Sequence, residues 1–314
     1  MAKRIGAVTA TSLNVRNEPS TQGAVLGKLS RGEKVEVREQ LSGWFKIGYG
    51  TESGYVAADY VTIIDQQPAA DYLWEMEEVQ AAPLAPPADR QVGPLRSAAE
   101  KQVGGTWNRY GGLLQTLGDI IEVDPAAAVA VLCVESGGEG FSPDGRMIIR
   151  FENHVFWDQW GKNNPNTFAA HFRYDAAARW KGHLFRDKAA DPWASFHGDQ
   201  GQEWRVLSYA RRLDDSAALK SISMGGPQIM GFNCARLGYD TVAEMFERFN
   251  ADIRHQIIGL FDFLRGHGTT SPMVEALQRR DFYQFATSYN GKGQAATYGG
   301  RIESNYNLFL RLRG

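Results

Sequence analysis

Residues 125–134, Pro125-Ala-Ala-Ala-Val-Ala-Val-Leu-Cys-Val134, are apolar at every position and run straight into Glu135-Ser-Gly-Gly138. Asp124 is a good N-cap, Pro125 suits the first helical position, and the glycines are natural residues for leaving a helix. A helix with no polar face must be buried, so the rest of the chain has to surround it. Its last turn nevertheless carries a carboxylate. Desolvation and the negative end of the helix dipole both disfavour an ionised Glu135, which makes it a candidate proton donor. A carboxylate that merely closes the helix and pairs with an arginine is the competing reading.

A length of 314 residues suggests two domains. The formal net charge of -2 argues against a nucleic-acid footprint spread over the chain. Two cysteines, Cys133 and Cys234, make no disulfide framework and fit folding in a reducing compartment. The basic N-terminus lacks an apolar stretch long enough for a signal peptide, and no segment is long and apolar enough to span a membrane. The expectation is a chain made in the cytoplasm, without membrane insertion, that needs another agent to let it out if it works elsewhere.

Residues 5–64 read as short strands between closely spaced turn glycines, with Val35-Glu-Val37 alternating in period two. The order Leu13-Asn-Val-Arg-Asn-Glu-Pro-Ser20, Val25-Leu-Gly-Lys-Leu29, Gly32-Glu-Lys-Val-Glu-Val37, Gly43-Trp-Phe-Lys-Ile47 and Gly54-Tyr-Val56 resembles a bacterial SH3 domain. The resemblance implies a small all-β barrel over residues 1–65 that binds cell walls. Trp44, Tyr49, Tyr55 and Tyr60 are candidates for an aromatic platform, with core or rim packing as the alternative. Residues 66–94 hold five of the 12 prolines and read as a Pro/Ala-rich linker. Within it, residues 72–79 have the pattern of a short amphipathic helix docking on one domain.

From residue 95 to residue 314 the pattern is mainly helical with a minor β element. Ser97 and Glu100 have capping-box spacing. Helices are expected at 110–121, 125–135, 153–160, 203–213, 215–223, 241–264, 272–279, 281–289 and 300–312, a short strand at 147–151, and loops over 161–200. Three stretches stand out: Glu135-Ser-Gly-Gly138, Ser221-Ile-Ser-Met-Gly-Gly-Pro-Gln-Ile-Met-Gly231, and Phe285-Ala-Thr-Ser-Tyr-Asn-Gly-Lys-Gly293. In this order they resemble the lysozyme-like superfamily of goose-type lysozymes and lytic transglycosylases. Arg150-Phe-Glu-Asn-His-Val-Phe156 and Glu203-Trp-Arg-Val-Leu207 look closer still to the N-acetylmuramidases of phage endolysins. Met224 stands where the superfamily usually has Trp, which bears on the shape of the sugar pocket.

Glycosidic cleavage needs an acid for the leaving oxygen and usually a second carboxylate. Glu135 is the acid by environment and by resemblance. Glu152, just after the expected strand, is the second carboxylate, unless it pairs with Arg146, Arg150 or His154. Asp144, before a glycine, is first a turn residue. Ser223, Gln228, Tyr289 and Asn290 are candidate substrate-binding residues, each with an alternative as local support or packing. No two of the six histidines have His-Glu-x-x-His spacing, which argues against a zinc amidase, although distant ligands can converge. A Cys/His peptidase would need an activated thiolate, and both cysteines read as small buried residues.

The resemblance implies a two-domain peptidoglycan hydrolase, a phage endolysin that acts in host lysis. It would start in the host cytoplasm, reach the wall after release, and cut the β-1,4 bond between N-acetylmuramic acid and N-acetylglucosamine. Neither metal nor organic cofactor is implied, the partner is peptidoglycan rather than nucleic acid, and a monomer is expected. The alternatives are a lytic transglycosylase giving 1,6-anhydro products and a non-catalytic wall-binding protein.

Overall fold

A computed structural model describes residues 4–50, 52–65, 72–266, 271–289 and 291–314. The chain divides into two compact units, Met1–Ala70 and Asp71–Gly314.

In the first unit the period-two strands become β1 (Arg4–Val8), β2 (Ser12–Arg16), β3 (Val25–Ser30), β4 (Lys34–Leu41), β5 (Trp44–Tyr49), β6 (Glu52–Ala57) and β7 (Val61–Asp65). They form one antiparallel sheet in the order β3-β2-β6-β5-β4-β1-β7. Alternate residues turn inward: Val8, Leu13, Val15, Leu29, Val35, Val37, Phe45, Ile47, Val56 and Val61 make its core. Val25 and Leu26, apolar in sequence, lie about half exposed at the edge strand. Trp44 pairs with Ala57 and Lys46 with Tyr55, so Trp44 and Tyr55 share the outer face. Tyr49 has the opposite parity and packs against the core. Its hydroxyl sits where a side chain on Gly27 would stand, which explains a glycine there.

The second unit is mainly helical. Its elements are α1 (Glu77–Ala81), α2 (Ala98–Ile121), α3 (Pro125–Ser136), β8 (Ile149–Phe151), α4 (Asn153–Gln159), α5 (Pro165–His171), β9 (Phe172–Arg173), β10 (Leu184–Phe185), β11 (Ala194–Ser195), α6 (Gln200–Leu213), α7 (Asp215–Lys220), β12 (Ile222–Met224), β13 (Ile229–Met230), α8 (Val242–Ala251), α9 (Ile253–Arg265), α10 (Pro272–Gln278), α11 (Phe282–Tyr289) and α12 (Ala295–Arg313). Ser97 and Glu100 form the expected capping box at α2. Two hydrophobic cores lie side by side. One gathers α2, α3, α9, α10, α11 and α12, with every residue from 126 to 134 buried. The other lies under β8, β12 and the helices α4 to α8. Phe263 of α9 packs against both.

The expected helix over 215–223 ends at Lys220, and Ile222–Met224 form β12; the sequence pattern and the structure differ more widely in three other places. The expected helix over 241–264 is two helices, because Asp252 leaves helical geometry and caps α9 by accepting the Arg254 N–H at 2.8 Å. The loops of 161–200 contain a three-stranded sheet, β11-β10-β9, of two-residue strands too short to show a period. The third difference is the expected linker. Residues 66–71 lie outside the described residues, but 72–94 pack on the helices of the second unit. Leu73 and Val79 are fully buried there. Backbone groups that a proline-rich strand cannot pair with itself are met by side chains from α2 and α9. Arg254 donates to the Val79 and Ala82 carbonyls at 3.0 and 2.7 Å, and Trp107 Nε1 to Arg90 at 2.7 Å. Asn108 bonds both the N–H and the carbonyl of Val92.

The anchor of this strap is Asp262, fully buried, whose Oδ1 accepts the Leu73 N–H at 2.8 Å. Burial raises its pKa to about 7, against the pull of the Leu73 N–H and Arg265. The folded chain therefore retains a proton between about pH 4 and pH 7 that the unfolded chain has released, so this group's contribution falls as the pH rises through that window. Urea unfolding at a series of pH values should show the wild type losing stability relative to Asp262→Asn from pH 4 to pH 7, and holding a constant difference above it. A difference that does not change with pH would remove Asp262 as the source.

Candidate active site

The burial of α3 leaves its C-terminal end as the one part that can meet a ligand. Asp124 caps the start, accepting the Ala126 N–H at 2.9 Å. At the other end Gly137 takes the left-handed conformation (φ 69°) and its N–H closes on the Cys133 carbonyl. Glu135 is half-buried in that last turn. The chain leaving it is tied through Ile148 to the second motif stretch, which in turn meets the third. Gly140 accepts the Ile148 N–H at 3.0 Å, and Ile148 accepts the Gly225 N–H at 2.8 Å. Pro227, in the same turn, accepts the hydroxyl of Tyr289 at 3.1 Å. The Glu135 carboxylate and the Tyr289 phenol interact electrostatically: burial first, and Glu135 second, push Tyr289 ionisation well above its ordinary value. The helix end, the glycine turn between β12 and β13, and the end of α11 are thus joined by a ring of contacts that includes Glu135.

Inside that ring, Ser223 donates to Gln228 Oε1 at 2.8 Å, and Gln228 Nε2 donates to the Gly225 carbonyl at 2.7 Å. Gln228 has φ 51°, which its side-chain bonds within the turn help to hold. These two residues therefore rigidify the hairpin. Asn290 lies outside the described residues. Sequence reading missed Gln256, fully buried on α9, which accepts the Gly226 N–H at 2.7 Å and donates to the Phe249 carbonyl at 2.8 Å. A side chain on Gly140 or Gly225 would collide with it. The available signal was one amide in the apolar run Gln256-Ile-Ile-Gly-Leu-Phe.

Glu152 stands at the junction of β8 and α4, its backbone N–H bonded to the Ser221 carbonyl at 2.8 Å. Arg150 Nε donates to its Oε1 at 2.8 Å. Its Oε2 faces His154 Nδ1 at 3.4 Å and His183 Nδ1 at 3.5 Å. Burial alone would raise the Glu152 pKa, but His154 and Arg150 outweigh it and hold the carboxyl below its ordinary value. The residue borders a cleft of about 640 Å³ lined also by Arg179, Trp180, Met230 and Phe232. Trp180 is 66% exposed, a large apolar surface at the mouth of a cleft that the loop reading of this segment did not anticipate.

Behind Glu152 the histidines converge from distant points in the chain. One ring nitrogen each of His183 and His197 and one oxygen of Glu152 lie within 4.8 Å of one another. Glu203, only 1% exposed, accepts the Phe151 N–H at 2.8 Å and meets His197 Nδ1 at 2.9 Å. Arg205, two residues along α6 from Glu203, pairs with Asp187. Asp144 bonds Ser142 and Arg146 on the surface, which hold its pKa at about 2, and it serves as a turn residue. Burial pushes the Cys133 thiol up to about 11, the opposite of an activated nucleophile, and Cys234 is buried too.

Residues 124–310 match the N-acetylmuramidase family and residues 11–62 match the bacterial SH3 domain. The first match spans more than half of the chain, which belongs to the N-acetylmuramidase family. The chain is similar to the Burkholderia AP3 phage endolysin, whose crystal structure it matches at 28% identity and a TM-score of 0.50, over 63% of this chain and 70% of that one. It is also 35% identical over 77 residues to the Bacillus subtilis (strain 168) protein named "Putative N-acetylmuramoyl-L-alanine amidase YrvJ". That match covers 24% of this chain and spans only 15% of the curated relative's length.

The turn at residues 225–227 is held from α9 by Gln256. Gln256→Leu leaves the Gly226 N–H and the Phe249 carbonyl without their partner, and equilibrium unfolding should record a loss of about 1–3 kcal/mol. An unchanged midpoint would mean that the turn is held by other contacts.

Proposed function

We propose that this chain is a peptidoglycan hydrolase of the endolysin type, in which the C-terminal unit cuts the β-1,4 bond following N-acetylmuramic acid. The N-terminal barrel, through an outer face that includes Trp44 and Tyr55, keeps the catalytic unit at the polymer and raises its effective concentration there. The observation that carries this reading is the ring of contacts that joins the three motif stretches and includes one half-buried carboxyl, Glu135, at the end of a buried helix.

In this reading Glu135 protonates the glycosidic oxygen as the bond to the muramic acid carbon breaks, and water adds to that carbon. The apolar helix and its dipole favour a carboxyl that carries a proton. Tyr289, held neutral and bonded to Pro227, fixes the far wall. Glu152 is the candidate second carboxylate. Its oxygens already face Arg150, His154 and His183, and these contacts favour a positioning role over that of a base taking a proton from water.

Mass spectrometry of purified peptidoglycan digested by the wild type, Glu135→Gln and Glu152→Gln tests this. Reducing muropeptides ending in N-acetylmuramic acid are expected, with release slowed by at least ~10²-fold in Glu135→Gln. A partial loss in Glu152→Gln gives that residue the positioning role, whereas a loss equal to that of Glu135→Gln makes it the second catalytic carboxylate. Anhydro products would make the protein a lytic transglycosylase, since only hydrolysis adds water. Cut peptides on an intact glycan would remove Glu135 from the chemistry.

A further inference from the structure

The histidine cluster behind Glu152 has the donor set and the hydrogen bonding of a metal centre. Two imidazoles and one carboxylate, from residues 152, 183 and 197, present ligand atoms within 4.8 Å of one another. In a tetrahedral zinc site with bonds of roughly 2.0–2.1 Å, ligand atoms stand about 3.3 Å apart. Glu152 Oε2 and His183 Nδ1 are already at 3.5 Å.

The tautomers are set by what each ring bonds on its other side. His183 Nε2 lies 2.9 Å from the Arg179 carbonyl, which can only accept. The proton is therefore on Nε2, and the Nδ1 lone pair, which takes a long bond of 3.4 Å from the Asn153 N–H, lies 3.5 Å from Glu152 Oε2. His197 Nδ1 lies 2.9 Å from Glu203 Oε1, which places a proton on Nδ1 and leaves Nε2 as a base. That Nε2 is buried without a hydrogen-bond partner, as is Glu152 Oε2. Metal-bound histidines characteristically donate their other N–H to a carboxylate or a backbone carbonyl, and here one ring does each.

We propose that Glu152, His183 and His197 bind one divalent transition-metal ion, for which Zn²⁺ matches the two-nitrogen, one-oxygen donor set. A hard cation such as Ca²⁺ or Mg²⁺ would require more oxygen ligands than this cluster offers. Two carboxylates, Glu152 and Glu203, offset the charge of the ion. Arg150 holds Oε1, leaving Oε2 for the metal. His154 Nδ1, 3.4 Å from Oε2 and also buried without a partner, borders the fourth position.

The ligands explain what the ion does. Glu152 starts α4, His183 immediately precedes β10, and His197 lies between β11 and α6. The segment between α5 and α6 is held by three two-residue strands, a weak scaffold for the wall of a cleft. A metal joining these points cross-links that wall to β8 and α6, as structural zinc does in small loop-rich units. The inference accounts for the positioning role given to Glu152 and is independent of whether Glu135 is the acid.

The test uses the full chain, purified without a polyhistidine tag from zinc-supplemented cultures, with metal content and thermal unfolding as readouts. One zinc per chain is expected, together with a lower Tm after chelation that Zn²⁺ restores. His183→Gln and His197→Gln should each lose the zinc, while His171→Gln, outside the cluster, keeps it. Should either variant fail to fold, Co²⁺ added to the chelated wild type decides, since tetrahedral cobalt gives intense visible absorption and octahedral cobalt does not. Zinc at background with no thermal response to Zn²⁺ would overturn the proposal. So would zinc retained in both variants, or a cobalt spectrum without tetrahedral bands.

Discussion

The burial of α3 on all sides is the constraint on which the architecture of the catalytic unit depends. Fully burying a Val or Leu contributes about 1.5–3 kcal/mol, and this helix buries an unbroken run from Ala126 to Val134 between α2 and α12. A helix so enclosed cannot offer a side face to a polymer. Only its end reaches toward solvent, and the left-handed Gly137 turns the chain away there, so that the segment beyond it leaves the last turn uncovered. A single carboxylate at that point is placed by the packing of the whole core behind it. Because that packing is dense, the position of the Glu135 backbone is set by the core rather than by the contacts of its own side chain.

Much of this was legible in the sequence because it depends on local chemistry. Asp124, Pro125 and Gly137 mark both ends of α3, Ser97 and Glu100 mark the start of α2, and the alternating strands of residues 5–64 mark the barrel. The features that were not legible depend on distance in the chain. Composition alone cannot show that the proline-rich residues 72–94 lie against α2 and α9, since the partners that satisfy them are Trp107, Asn108 and Arg254. A two-residue strand has no period to detect. Histidines 183 and 197 meet Glu152 only after the chain has folded through β9, β10 and β11, so a search for closely spaced ligands passes over them. The same limit applies to Ser223 and Gln228. Their residue types left sugar contact and local support of the turn both open, and the partners that each finds, the other residue and the turn itself, come only with the fold.

Glu135 and Glu152 belong to different cores, and this sets what holds the site together. Glu135 ends a helix of the first core, while Glu152 comes directly after a strand of the second. The link between them is a short series of backbone hydrogen bonds, from Gly140 to Ile148 and from Ile148 to Gly225, with Gln256 reaching from α9 to the same turn. Phe263, further along α9 than Gln256, packs against both cores. The seam is therefore spanned by α9, and its polar contacts converge on residues 225–227. A glycine is needed at position 225 because Gln256 fills the space that a side chain there would occupy.

This arrangement assigns different physical origins to the settings of the two carboxyl groups. The helix end carrying Glu135 is fixed by hydrophobic burial. The wall carrying Glu152 and Trp180 rests on side-chain polar bonds among Arg150, His154, His183, His197 and Glu203, several of them buried. Buried polar networks of this kind stabilise only when every member is satisfied, and a missing partner costs more than an average hydrogen bond contributes. The unpartnered Glu152 Oε2 and His197 Nε2 are therefore the points at which this wall is least complete. A ligand that engages both atoms would act on the position of the cleft wall without touching Glu135, whose placement is left to α3 and its core.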